Sequence, residues 1–150
     1  MTESLEKFME DFNNARTLGE IILGILSQID KERITNNPDF WHPMFLELST
    51  ISTLSQIKEL KFDLSPIVPW CDELDQTFFR LEMSNLLPFD LHTCEYLIGM
   101  TKEIQNKSFE KFNDEAKKEL QTLAKLVIQE EIIYNQNKMA FPSKIKKLSP

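Results

Sequence analysis

The chain has 150 residues, 41% hydrophobic and 27% charged, a composition that suits one domain with a buried core and excludes a wholly disordered polypeptide. Its 24 acidic and 17 basic residues give a net charge of −7, unevenly spread: residues 1–131 carry a net −11, whereas residues 132–150 hold four lysines and no acid. Such an acidic body argues against nucleic-acid binding, and two isolated cysteines, Cys71 and Cys94, make no metal-binding pattern and predict free, packed thiols.

Only three glycines, Gly19, Gly24 and Gly99, are available for turns that need positive φ, so long elements are expected. Apolar residues recur at three- and four-residue spacing, which predicts an all-α fold. Without a repeat of TPR or ankyrin length, the expected architecture is a compact bundle of five or six antiparallel-type helices. It should occupy residues 1–138, followed by a short, basic, mobile C-terminal tail over residues 139–150. The N-terminal "MTESLEKFMEDF" lacks the basic and apolar regions of a secretory signal. The longest apolar run, "IILGIL" from Ile21 to Leu26, covers six residues, where a membrane helix needs roughly 20. Together these predict a cytoplasmic protein that does not span a membrane.

In chain order, the first predicted helix lies near Ser4 to Ala15, with Leu5, Phe8, Met9 and Phe12 on one stripe. A second opens at Thr17, whose hydroxyl and Glu20 have the spacing of a capping box, and buries Leu18, Ile21, Ile22, Ile25 and Ile29. "TNNPDFWHPMF" reads as a connector, because Pro43 inside a helix begun at Pro38 would lose the bond to Asp39, so a new helix is expected from about Pro43. Its apolar positions drift around the axis and Ser49 to Ser55 weaken it, so it should loosen before an extended "LKFDL". Ser65 and Pro66 predict the start of a helix that ends before Pro88. Asp90 predicts the cap of another, running to about Asn106. The last predicted helix carries Phe109, Phe112, Ala116, Leu120, Leu123, Val127 and Tyr134 on one stripe and reaches roughly Asn137.

Catalytic motifs are missing. No two glycines lie close enough to form a phosphate cradle, and no G-x-S-x-G serine elbow occurs. His42 reads as a helix-entry residue beside Trp41, with a ligand or base in an aromatic corner as the functional alternative, and His92 falls in a predicted first turn. Carboxylate pairs one helical turn apart, Asp72 with Asp75 and Glu115 with Glu119, leave open a carboxylate-dependent metal hydrolase of the all-α type. Glu131 falls on the apolar side of the last helix, which implies either a specific cation partner or a fraying turn that admits water.

The stretch "PWCDELDQTFFRLEMSNLLP" has two faces. Ile67, Trp70, Cys71, Leu74, Phe78 and Leu81 cluster on the side expected to be core. Phe79, Met83 and Leu86 lie about a third of a turn away, interleaved with Asp72, Asp75 and Glu82. Apolar anchors among steering charges have the make-up of a protein-docking surface, the alternative being a second core face with an acidic edge. The functional expectation is a non-enzymatic acidic protein that binds a basic protein partner, as an inhibitor, immunity-type protein or chaperone-like adaptor, with no cofactor. If the partner is a second copy of the chain, the same face would make a homodimer or a homo-oligomeric structural protein.

Overall fold

A computed structural model of the chain describes residues 16–148, with side chains as far as Asn137; the helix expected near Ser4 to Ala15 lies outside the described residues. The elements in chain order are α1 (Leu18–Ser27), β1 (Ile34–Thr35), α2 (Pro38–Ile51), α3 (Ser55–Lys58) and α4 (Asp72–Met83). Then come β2 (Phe89–Asp90), β3 (Glu95–Tyr96), a 3-10 turn (Ile98–Thr101), α5 (Lys102–Glu110) and α6 (Asp114–Leu148). Helices dominate, as the periodicity predicts. The fold is not purely α, because the three short strands form an antiparallel sheet in the order β1-β3-β2.

α1 is the interior helix. Thr17 caps it as its spacing predicts: Glu20 N–H donates to Thr17 Oγ1 at 3.1 Å, and Thr17 N–H donates to Glu20 Oε1 at 3.2 Å. Every residue from Ile21 to Leu26 is buried, as expected of a helix that is apolar all round, and α1 packs against α4, α5 and α6. Gly24 permits the close approach of α6, since a Cβ there would lie 3.1 Å from Leu120 Cδ1. At the other end, the Lys102 ammonium donates to the carbonyl of Ile29 and to that of Leu26, which also accepts from the Ile29 N–H at 3.1 Å.

Pro43 lies inside α2 and does not start a new helix. Asn37 caps α2, with Asp39 N–H donating to its Oδ1 at 3.0 Å, and Pro38 takes the first helical position. The internal proline costs about 3 kcal/mol. Burial of Phe40, Trp41, Met44, Phe45 and Leu48 outweighs it, at about 1.5–3 kcal/mol for each such side chain. α2 ends at Ile51, near where the hydroxyl residues weaken the pattern.

The helix expected from Ser65 begins seven residues later, at Asp72. Asp63 accepts from the Ser65 N–H and hydroxyl, closing a local turn. Pro69 biases Val68 towards extended backbone, and Asp63 then pairs with Trp70 in an antiparallel bridge. Ile67 is consequently fully exposed and contributes nothing to the core, whereas Cys71, Leu74, Phe78 and Leu81 are buried as their face predicts.

A second correction falls between Pro88 and Thr101, where Asp90 caps a turn and not a helix. His92 N–H donates to Asp90 Oδ1 at 2.9 Å, and Arg33 donates to Asp90 Oδ2 at 3.0 Å. The hairpin β2–β3 results, and β1 adds to it with Ile34 opposite Tyr96 and Thr35 opposite Glu95. The last predicted stripe is likewise split. Phe109 belongs to α5, and Asn113 starts α6 by accepting from the Ala116 N–H at 2.9 Å. α6 continues to Leu148, past the boundary that the stripe predicts at Asn137.

Candidate functional site

The residues Asp72, Asp75, Phe79, Glu82 and Met83 recur along one side of α4. Phe79 is 59% exposed and Met83 69% exposed, while Phe78, one position away, is buried against Trp41 and Tyr96. Asp72 accepts from the Trp70 indole N–H at 3.0 Å, and Glu82 accepts from the Tyr96 hydroxyl at 2.6 Å. Asp75 is exposed, and its carboxylate makes no hydrogen bond or ion pair among the described residues. Leu86 departs from the group: it is half-buried against the core.

This face is not flat. A cavity of about 120 Å³ opens beside it, walled by Trp41, Phe78, Phe79 and Tyr96 and bordered by Asp75 and Glu82, with His42 also in its lining. α2 contributes Trp41 and His42, α4 the carboxylates and phenylalanines, and β3 the tyrosine. The tyrosine hydroxyl is held far above its ordinary range by burial, then by its bond to Glu82 and the negative charges of Glu82 and Asp75. It is therefore a hydrogen-bond donor and not an anion at neutral pH.

His42 is the unexpected member. It is 1% exposed, stacked on Trp70 with ring centroids 4.0 Å apart. Its Nδ1 accepts from the Cys71 N–H at 2.9 Å, so a neutral ring carries its proton on Nε2. Nε2 is buried and has no protein partner. Burial lowers the pKa of His42, against the opposing charges of Asp75, Asp39 and Asp72. Nothing in the spacing of residues 42, 71 and 96 pairs them, which is why the sequence marks α4 alone. A larger groove of about 200 Å³ between α2 and α6 is also acidic, with Asp39, Glu47 and Glu130 in its lining. Among the described residues it holds no buried polar atom without a partner.

The remaining marked residues have structural partners. Glu131 is buried and holds the specific cation its position implies: Lys31 Nζ bonds one oxygen, and Thr35 N–H donates to the other at 3.0 Å. No fraying turn is needed to explain it. Glu119 accepts from the Ser52 hydroxyl and from the Thr53 N–H, each at 2.9 Å, and from the Thr53 hydroxyl, tying the end of α2 to α6. Glu115 and His92 are exposed. Among the described residues no three His, Cys, Asp or Glu side chains group together as a metal site would require, and the two carboxylate pairs do not assemble into one. Cys71 is packed, its thiol pushed up by burial, but Cys94 is exposed in the β2–β3 turn with φ 55°, contrary to the expectation that both are packed.

No described helix is long and apolar enough to cross a membrane. No protein-family model matches the chain, and comparison with curated proteins and with solved structures returns no match.

Proposed function

We propose that this chain is a non-enzymatic, acidic binding protein, of inhibitor, immunity-type or adaptor character, that engages a basic protein partner through the α4 face. The observation that carries this reading is the pairing of two large apolar side chains, Phe79 and Met83, both more than half exposed, with the neighbouring carboxylates of Asp72, Asp75 and Glu82. Exposed apolar anchors ringed by one sign of charge suit recognition of a surface of the opposite sign. The net −11 of residues 1–131 adds a long-range field that speeds encounter with a cationic partner and disfavours acidic competitors. In this reading the protein works in the cytoplasm and needs no cofactor.

The test is kinetic. With a basic partner in hand, Asp72→Asn combined with Asp75→Asn slows association and flattens its salt dependence, whereas Phe79→Ala speeds dissociation. Unchanged association and dissociation in these variants would remove α4 from the interface. Concentration-dependent light scattering of the isolated chain distinguishes the case in which the partner is a second copy.

A further inference from the structure

The groove of about 200 Å³ between α2 and α6 has an apolar floor and an acidic rim. Phe40, Pro43 and Met44 of α2 meet Ile133 and Tyr134 of α6 in its lining, and Ile133 stays 48% exposed. Asp39, Glu47 and Glu130 stand around these apolar groups. Among the described residues, none of the three carboxylates makes a hydrogen bond or an ion pair. A helical segment with apolar side chains on one stripe and cations beside them has the chemistry that fits such a groove.

The chain itself contains such a segment. α6 runs unbroken from Asp114 to Leu148, and its end, residues 138–148, reads "KMAFPSKIKKL". It holds four lysines and no acid, with Phe141, Ile145 and Leu148 at the i, i+4, i+7 spacing of one helical stripe. The same helix lines the groove with Glu130, Ile133, Tyr134 and Asn137. A helix rises about 1.5 Å per residue along its axis, so residues 138–148 continue past Asn137 and do not turn back over the groove that their own helix borders. Residues 1–15 are no substitute, because they carry four acids and one lysine and would be repelled by the rim.

From this we propose that the groove seats the basic end of α6 from a second copy of the chain. Crossing the two α6 helices in antiparallel fashion about a two-fold axis makes the contact reciprocal, since each copy supplies one groove and one basic end. Phe141, Ile145 and Leu148 of one copy meet the floor of the other's groove, and Lys144, Lys146 and Lys147 meet Asp39, Glu47 and Glu130. Two chains that each carry −7 repel one another at long range, so this local match of charge sets the register of the pair. The contact uses none of the α4 residues.

Sedimentation velocity of the full chain from micromolar to millimolar concentration is the test, with Phe79→Ala as the control for self-association through α4. A reversible monomer–dimer equilibrium is expected, unchanged by Phe79→Ala. Glu47→Lys with Glu130→Lys, and separately Lys144→Glu with Lys146→Glu and Lys147→Glu, should each raise the dimer dissociation constant by about tenfold or more, because like charges then face each other. An equimolar mixture of the two variants should recover the dimer, since each altered groove then finds an end of opposite charge. The proposal is overturned if the chain stays monomeric at millimolar concentration, if the charge reversals leave dimerisation unchanged, or if their mixture recovers nothing. Loss of the dimer in Phe79→Ala overturns it too and assigns self-association to α4. Monomeric behaviour leaves the partner kinetics of the α4 face untouched, so the two readings fail separately.

Discussion

His42 Nδ1 accepts the Cys71 N–H at 2.9 Å, so a side chain from the interior of α2 takes up the backbone donor of the residue that precedes α4. An imidazolium carries protons on both nitrogens and could not accept this bond. Protonation of His42 therefore costs the link between the two helices that wall the cavity.

A pH dependence follows, with a defined sign. Burial holds His42 below the ordinary 6.5, so on acidification the unfolded chain takes up the proton first. The contribution is fully present above 6.5 and is lost as pH falls from there through the folded value. Urea unfolding at a series of pH values should show stability declining below 6.5, and His42→Gln, which keeps an acceptor but cannot titrate, should lose that part of the decline. Glu20, held below 4.5 by Lys111 and Thr17 despite the raising effect of burial, acts only in a more acid window and does not mimic it.

Glu131 provides a test of the buried network just before the start of α2. Glu131→Ala removes the acceptor for the Thr35 N–H and the counter-ion of Lys31, and should cost about 1–3 kcal/mol, the penalty for an unsatisfied buried donor. The loss should stay below the ~3–5 kcal/mol of a fully buried pair, because the Lys31 side chain is 37% exposed and can rehydrate. Glu131→Gln keeps an oxygen for Thr35 and should cost less than Glu131→Ala. Equal midpoints for the two variants in urea would show that the Thr35 bond contributes nothing.

The two thiols should differ in reactivity. Cys94 is exposed in its turn, whereas Cys71 is buried at the start of α4 with its thiol pushed up by that burial. A thiol reagent added to the native protein should label Cys94 quickly and Cys71 only at the rate at which the α2–α4 contact opens. His42→Gln should leave the first phase unchanged, and it reports by the second whether the imidazole secures that contact.

What the sequence makes legible and what it hides divide along the range of the interactions involved. The Thr17–Glu20 cap and the buried run of α1 depend on neighbours within one helical turn, and both can be read directly. Pro43, Ser65 with Pro66, and Asp90 are also genuine local signals, but distant groups decide their outcome. Packing of Phe40, Trp41 and Phe45 keeps α2 continuous across Pro43, the Asp63–Trp70 bridge delays α4, and Arg33 with β1 draws Asp90 into a hairpin. The candidate site divides in the same way. Phe79, Met83, Asp72 and Asp75 share a helix face that periodicity places, whereas His42 and Tyr96 reach the cavity only because α2 and β3 are brought to it.

Adjacent phenylalanines on α4 supply the sharpest test of that face. Phe78 is 6% exposed and packs on Trp41, Phe45 and Tyr96, while Phe79 is 59% exposed. Phe78→Ala should cost ~3–5 kcal/mol, as for a core aromatic, and Phe79→Ala should change stability by no more than about 0.5 kcal/mol, as for a surface site. Urea midpoints at constant m-value measure both. If Phe79→Ala proves as destabilising as Phe78→Ala, Phe79 belongs to the core and its carboxylate neighbours are only a solvated edge, so the docking face loses its anchor. If the two costs separate as expected, folding does not account for Phe79, and recognition is left as the role that a large apolar side chain in that position can fill.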